Sequence, residues 1–355
     1  MRVLAFARDP GGANVVIPVT KALLDTKHHT VSLFGQDWAR SIFRRYGLHA
    51  RPFSKVSFAR ALRSGTDVVI TGTSWPPEKE IVIWDMAHQA GVPTVAVLDF
   101  WSNYRARFSD KRGRPHWPNF ITAMDGTARR EMLADGIPAD RVVITGQPFL
   151  EMRARELRTA ALAHRPKDNR SVLFLSQPLS KNPNSKKLPF DEFSVLELVS
   201  KALEDLPRHK YRNMSFVLRP HPKDDLPKLR AILKRYLHHV PWSVQKGDGT
   251  DLAILQSHVV VGIYTMLLVE CVLAGRPIIS VQPGWPQPDP FLLSRLKYVA
   301  RVGDRSSLTA ALQKALRSKT THSSRQFIRP HRGATQRVIH LLKQAACEPK
   351  ARCTS

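Results

Sequence analysis

Several short segments of this 355-residue chain gather residue types that can bind an anion or move a proton. The first is Arg8-Asp9-Pro10-Gly11-Gly12-Ala13-Asn14. Gly11 and Gly12 permit a tight turn and let backbone N–H groups approach a ligand at a helix N-terminus, which makes this the clearest anion-binding candidate of the first half. The spacing is not GxGxxG, and no acidic residue closes the second strand where a dinucleotide ribose would need one, so a Rossmann redox enzyme is disfavoured. Asp9 fits two roles, a base at the carboxyl end of a strand or a cap for the following helix. Asp99, directly after a strand ending at Leu98, is read either as a second base or acceptor-orienting carboxylate, or as a turn former.

The second half is denser. Arg219-Pro220-His221-Pro222-Lys223 concentrates two cations and an imidazole at a strand exit, with prolines restricting the backbone. Arg219 can make a bidentate contact with phosphate, and His221 can donate to phosphate or act on a proton. Downstream, Val259 to Met266 runs from a buried strand through Gly262 and Tyr264 into a helix that Thr265 can cap, leaving first-turn N–H groups to face an anion. Glu270, set among the apolar residues of VECVLAGRP, is placed where a carboxylate could accept both hydroxyls of a ribose. Gln282, Gln287 and Asp289 could address sugar hydroxyls, or their loop could simply shape a surface. Trp84 reads as core, whereas Trp75 and Trp101 follow strand ends and could line an acceptor pocket. Asp85 and His88 have the spacing of a helical pair, with no third ligand beside them to suggest a metal.

The elements that must position these residues are short runs of Val, Ile, Leu and Phe alternating with helical stretches, the pattern of parallel sheets covered on both faces. Strands are expected at Val3–Ala7, Thr30–Phe34, Val68–Thr71, Thr94–Leu98, Phe120–Met124 and Val142–Thr145, with helices between them. The scheme repeats after residue 170. The predicted fold is α/β, with two facing Rossmann-like domains and a C-terminal helix: residues 1–150 on the acceptor side, a 151–170 linker, 171–318 for a nucleotide donor, and a basic 319–355 segment whose helix, near Val338–Ala346, could pack back on the first domain. Two loops rich in cations, Arg105–Pro115 and Leu179–Pro189, are expected to be exposed and mobile.

Composition narrows the class. Lys and Arg number 55 against 29 Asp and Glu, a formal charge of +26 that points to an anionic partner or surface. Three cysteines, at 271, 347 and 353, are too few for a disulfide framework or a zinc cluster and suit a reducing compartment. The apolar run before Arg8 is too short for a signal peptide, and no stretch is long enough for a membrane span. The chain is expected in the cytoplasm, at most peripheral to an anionic membrane. A nucleic-acid binder is the competing class; its support is the charge and the basic loops, without a zinc finger, an RNP-like strand or a recognition helix.

Arg219, His221, Pro222, Thr250, Asp251, Tyr264, Thr265, Glu270, Gly275, Arg276 and Pro277 resemble the donor-site signature of the GT-B superfamily, which includes nucleotide-sugar glycosyltransferases and the related non-hydrolysing UDP-N-acetylglucosamine 2-epimerases. Ile144-Thr145-Gly146-Gln147-Pro148 looks like the segment closing the first domain of such proteins. The resemblance implies a donor site made of Arg219, His221, Lys223, Tyr264, Thr265, Met266 and Glu270, with Glu270 on the ribose and the Thr265 turn at the diphosphate. Gly11 and Gly12 would serve a ligand of the first domain, and Asp9, Asp99 and His221 are the catalytic candidates. The chain departs from the epimerase pattern where Arg8–Gly12 replaces a G-T-R-P-E-like segment and where Tyr264 and Met266 replace paired glycines. A similar late segment occurs in CDP-alditol phosphotransferases. The expected activity is therefore a metal-independent glycosyltransferase, moving a sugar from a nucleotide donor, UDP-linked and not tightly bound, to a hydroxyl-bearing acceptor that is anionic or lipid-linked. Phosphoalditol transfer and 2-epimerisation stand as alternatives, and a homodimer as an expected assembly.

Overall fold

The computed structural model describes residues 1–163, 170–182, 188–247, 249–285, 289, 291–318 and 323–347. The chain divides into two compact units, Met1–Met152 joined by the segment from Arg329 onward, and Arg153–Ile328. Each unit is a parallel α/β domain, together the architecture of the GT-B type. Among the described residues, no helix is long and apolar enough to cross a membrane.

The first unit holds a seven-stranded sheet of β1 (Arg2–Ala7), β2 (Thr30–Gly35), β3 (Arg51–Pro52), β4 (Val68–Gly72), β5 (Thr94–Val97), β6 (Phe120–Ala123) and β7 (Val142–Ile144), in the order β3-β2-β1-β4-β5-β6-β7. Every pairing is parallel, with Ala5 beside both Leu33 and Ile70. Strand β4 is buried along its whole length, which is why Val68-Val69-Ile70 reads as an uninterrupted apolar run. The order reverses between β1 and β4, and a doubly wound sheet leaves a crevice at that switch, beyond the carboxyl ends of its strands.

Helix Pro10–Asp25 shows how the sequence dictates its own burial. Asp9 caps it, Pro10 opens it where no N–H is needed, and Val15, Val16, Ile17, Val19 and Leu23 are all buried. A helix apolar on so many sides must be covered on more than its sheet face. The cover is the C-terminal helix Ala334–Cys347, which packs on it and on β4 and β5. That helix is fastened by Glu151, whose carboxylate accepts from Gly333 N at 2.7 Å and Thr335 N at 3.0 Å. Arg337 Nε donates to the Thr145 carbonyl at 2.8 Å, and the buried His331 accepts at Nδ1 from Gln147 N at 3.2 Å.

The second unit repeats the plan with β8 (Ser171–Leu175), β9 (Ser215–Arg219), β10 (Trp242–Val244), β11 (Val259–Gly262), β12 (Ile278–Val281) and β13 (Ala300–Val302), ordered β10-β9-β8-β11-β12-β13. Its switch lies between β8 and β11. Helix Glu192–Glu204 covers the sheet alongside Leu226–Tyr236 and Arg305–Arg317. A capping box between Asp191 and Ser194 starts it, and Val195, Leu196, Val199 and Leu203 form its core face.

The sequence reading has no counterpart for β3, β13 or helix Lys55–Arg63. Strand β3 is two residues long, Arg51 and Pro52, and carries no apolar run to detect. The Lys55–Arg63 helix does have a readable start, the Ser54 cap, and a buried pair at Phe58 and Leu62.

The anchor of the C-terminal helix should be acid-labile. Burial, with Arg337 nearby, pushes the His331 imidazole down to about 4. Between that value and the ordinary histidine range the unfolded chain binds the extra proton and the folded one does not, so this contribution is complete above about pH 6.5 and is lost as pH falls toward about 4. His331→Asn, which keeps an acceptor, should flatten the wild-type decline in melting temperature over that window. An unchanged decline in the variant would refute the assignment.

Candidate functional site

At the first unit's switch point, the loops after β1, β4 and β5 converge. Asp9 lies two residues after β1 and accepts from Gly12 N at 2.8 Å as the cap of helix Pro10–Asp25. Asp99 lies two residues after β5, and its Oδ1 accepts from Thr73 Oγ1 at 2.8 Å and from Arg107 Nη1 at 2.7 Å. Gly11 separates the two carboxylates: a methyl group there would overlap Asp99 Oδ2 and sit 3.6 Å from Asp9 Oδ1. Burial first, and then the charge of Asp99, push the Asp9 carboxyl up, while Gly12 N–H, Arg8 and Arg107 pull against them. An acid–base candidate and a fixed carboxylate therefore share one spot, and Asp9 serves as both cap and candidate base.

Behind them is a group that sequence reading missed. Glu80, in the first turn of helix Glu78–Gln89, is 1% exposed, and neither carboxylate oxygen has a partner in hydrogen-bond geometry. Burial pushes its carboxyl up to about 7, with the Ser74 hydroxyl and Arg8 only partly offsetting this. Arg8 Nε lies 4.0 Å from Glu80 and donates to Ser74 Oγ at 3.0 Å. Arg8 and Asp9 also line a cavity of about 570 Å³ at the carboxyl ends of β1 to β3, whose other walls include Gln36, Trp38 and Phe53. Glu80 sits beside Glu78 and Lys79 in the first turn of its helix, where acidic residues are ordinary, so sequence carries no signal of its burial, which depends on its tertiary neighbours.

Two further supports of Asp99 were also missed. Gln147 is fully buried and donates from Nε2 to the Asp99 carbonyl at 2.6 Å. Arg107 and Phe108 are buried, so the Arg105–Pro115 loop is not simply exposed as expected. Its core-facing residues alternate with the solvated cations and give no periodic pattern. Trp101 corrects the sequence reading as well: it is 2% exposed, with Nε1 donating to Asp125 Oδ2 at 2.8 Å, and cannot line an open pocket. Trp75 is 42% exposed and Trp84 is buried. Asp85 pairs with His116 at 3.1 Å rather than with His88.

In the second unit the loops after β8, β9 and β11 carry the remaining candidates. Thr265 caps helix Met266–Leu273 by accepting from Leu268 N at 3.4 Å, and the start of that helix leaves the Met266 and Leu267 N–H groups without a helical carbonyl. Tyr264 N donates to Gln177 Oε1 at 3.3 Å, and the Tyr264 ring packs edge-on against Trp285. His221 and Lys223 are exposed, and His221 Nδ1 accepts from Lys223 N at 3.1 Å, which places the neutral ring's proton on Nε2 as a donor. Partial burial, with Lys223 nearby, holds this imidazole below the usual range. Arg219 is 9% exposed, and its Nη2 is turned onto the Gly247 carbonyl and Thr250 Oγ1. It thus ties β9 to the loop before helix Thr250–Gln256.

Glu270 is buried, and its Oε2 accepts from Arg153 Nε at 2.8 Å. Gln282 and Asp289 are buried too: Gln282 Nε2 donates to Ser280 Oγ at 2.8 Å, and Asp289 accepts from Phe291 N at 2.8 Å and Ser294 Oγ at 2.5 Å. Those contacts hold a loop together and correct the reading of both as groups presented to a sugar. Gln287 lies outside the described residues.

No protein-family model matches the chain, and no curated protein matches it by sequence. Solved structures match its fold. The UDP-GlcNAc 2-epimerase of Neisseria meningitidis, solved with UDP-GlcNAc, is 14% identical with a TM-score of 0.69, covering 97% of this chain and 100% of that one. The UDP-GlcNAc 2-epimerase of Methanocaldococcus jannaschii is 12% identical with a TM-score of 0.68, again over 97% and 100% of the two chains. Anabaena Alr3699/HepE, solved with UDP-glucose, is 15% identical with a TM-score of 0.57 over 98% of each. At these identities the likeness is one of fold.

Glu80 should make the protein less stable as pH rises. Its folded-state value of about 7 lies above that of an ordinary glutamate, so between about pH 4.5 and 7 the folded chain holds a proton that the unfolded chain has lost. Stability then falls through that window, by an amount on the order of 3 kcal/mol. Glu80→Gln should remove this slope, raising the melting temperature relative to wild type at pH 8 but not at pH 4.5; equal differences at both would refute it. Packing gives a separate expectation at Gly72, where a Cβ would overlap the Gly12 backbone. Gly72→Ala should destabilise by about 1–3 kcal/mol in denaturant titration, and a neutral result would contradict the close approach.

Proposed function

We propose that the chain is an enzyme acting on a nucleotide-linked sugar, with UDP as the nucleotide. The observation that carries this is the Asp9–Asp99 pair flanking Gly11 at the switch of the first sheet. On the second unit, Glu270 takes the ribose hydroxyls. The N-terminus of helix Met266–Leu273 and His221 Nε2 stabilise the diphosphate as it leaves, so the electrostatic work is done by protein dipoles and hydrogen-bond donors.

The leading reaction is 2-epimerisation, the activity named for the Neisseria and Methanocaldococcus structures that share the fold. Inverting a C2 centre beside an anomeric diphosphate can proceed by elimination. The C2–H bond breaks, its proton going to a carboxylate and its electron pair forming a C1=C2 double bond, while the C1–O bond breaks with its pair leaving on UDP; re-addition returns the UDP oxygen to C1 and a proton to the opposite face of C2. Two carboxylates in different environments suit an acid and a base. Transfer to an acceptor hydroxyl is the second reading, and the 570 Å³ cavity favours it, because Asp9 belongs both to the carboxylate pair and to the cavity wall. Its size is that of a small-ligand site, and Trp38 with Phe53 gives it an apolar side of the kind a sugar ring packs on.

One experiment separates the readings. The protein is incubated with UDP-GlcNAc in deuterated water without an acceptor and followed by NMR. Epimerisation predicts deuterium at C2 and a second epimer; transfer predicts neither, but UDP release once an acceptor panel is added. Failure of UDP-, GDP-, CDP- and TDP-sugars to bind or react would overturn both. Asp99→Asn should lower turnover by about 100-fold or more while sugar-nucleotide affinity stays within about threefold.

A further inference from the structure

Nothing in the sequence marks Arg153 as a candidate, yet among the described residues of the second unit its guanidinium gathers a dense set of charged contacts. Its Nε donates to Glu270 Oε2 at 2.8 Å, its Nη2 to Asp251 Oδ1 at 2.5 Å, and its Nη1 to Asp251 Oδ2 at 3.1 Å and Glu156 Oε2 at 2.5 Å. Arg153 is 7% exposed and Glu270 is 8% exposed. Three carboxylates on three helices, Pro148–Ala163, Thr250–Gln256 and Met266–Leu273, meet on one guanidinium.

We propose that Arg153 is a positioning residue for nucleotide binding: it keeps Glu270 ionised and its carboxylate plane fixed, so that Glu270 can accept two ribose hydroxyls at once. The inference rests on the reading of Glu270 as the ribose group. An ionised carboxylate is acceptor-only, with about four lone-pair sites, and one contact to Arg153 leaves enough for a cis-diol. A protonated carboxyl has one oxygen turned donor and recognises a diol poorly. Left alone among Leu268, Val269, Cys271 and Val272, all buried, the Glu270 side chain would favour the protonated form. Burial does push it up, and Arg153 is the charge that pulls it back, while Asp251 and Glu156 push the same way as burial. The other charged groups nearby are Arg276 beyond its own helix and the exposed Arg325 on the Ser323–Ile328 helix that packs against it. Asp251 therefore has a second effect: it holds the guanidinium in place but weakens its hold on the Glu270 charge.

The two partners of Arg153 make opposite predictions. Affinity is measured calorimetrically for UDP and for 2′-deoxy-UDP from pH 5 to 9 with the full-length chain, and the ratio of the two is taken at each pH. That ratio cancels titration of the ligand's own phosphate and isolates the ribose contact. The pH at which the ribose preference is half lost should rise in Arg153→Met and fall in Asp251→Asn relative to wild type. Arg153→Lys, which keeps the charge, should stay within about half a pH unit of wild type. The Arg153→Met preference should be several-fold below wild type at the acid end of the range and should recover at pH 9. Equal, pH-independent losses in all variants would show a purely structural ion-pair cluster and overturn the proposal. Should Arg153→Met not fold, the downward shift in Asp251→Asn decides alone, and no shift there overturns it. Wild-type protein that binds neither nucleotide would overturn the nucleotide reading itself, whereas wild type that binds UDP with no ribose preference would overturn only the role of Glu270 and, with it, of Arg153.

Discussion

The carboxylate of Asp99 is the interaction on which the first unit's site depends. It sits at the exit of β5 and accepts from Thr73 after β4 and from Arg107 in the following loop, while Gln147, after β7, holds its backbone carbonyl. Gly11, after β1, lies flush against it. One residue, through its side chain and its backbone carbonyl, thus touches the loops of four strands. A parallel sheet makes this arrangement possible because all its strands end on the same edge, and a doubly wound order separates the loops at the switch enough to leave a crevice. Asp99 is only partly exposed, and Arg107 and the Thr73 hydroxyl supply the polar contacts that its part-buried carboxylate needs.

That knot also explains why the C-terminal segment belongs to this unit. Gln147 bridges two functions: its side chain steadies Asp99, and its backbone N–H is taken by His331 at the foot of the last helix. Glu151, one helical turn further along, binds the start of the same helix. The chain end is therefore connected to the site through two residues, and the apolar exterior of helix Pro10–Asp25 gains its cover in the same step. Buried ionisable groups with opposite preferences, Glu80 for its proton and His331 against one, lie within this unit, so their effects on stability run in opposite directions over an overlapping pH range.

Much of the fold was legible because parallel strands buried on both faces must be written as apolar runs. Val68–Gly72 and Val259–Gly262 could hardly be anything else, and the helices after β1 and β11 announce themselves with Asp9 and Thr265 as caps. What escaped notice was the two-residue β3, β13 with an arginine at its centre, and the cation-bearing helices Lys55–Arg63 and Arg305–Arg317. The candidate residues after strand ends, Asp9, Asp99, His221 and Thr265, stood out because the carboxyl ends of parallel strands are where ligands bind, and Glu270, inside its helix, stood out as a carboxylate among apolar neighbours. Trp101, Gln282 and Asp289 stood out for the same reason, yet the structure turns them inward. Position after a strand fixes where a backbone goes and leaves the direction of the side chain open.

The sequence by itself determined the α/β class, the alternation of strands and helices, and which turns bring polar residues to the strand ends, because these follow from local periodicity, capping and hydrophobic burial. Only the tertiary structure decided which charges meet. Arg107 finds Asp99 across 8 residues, Arg8, just past β1, approaches Glu80 on the helix Glu78–Gln89, and Arg153 reaches Glu270 across 117. No spacing rule covers such pairs, since they depend on the order in which strands lie in the sheet. Their protonation follows from the same cause: the desolvation that raises Glu80 and Glu270, and the cations that oppose it, exist only once the surrounding strands and helices have closed around them.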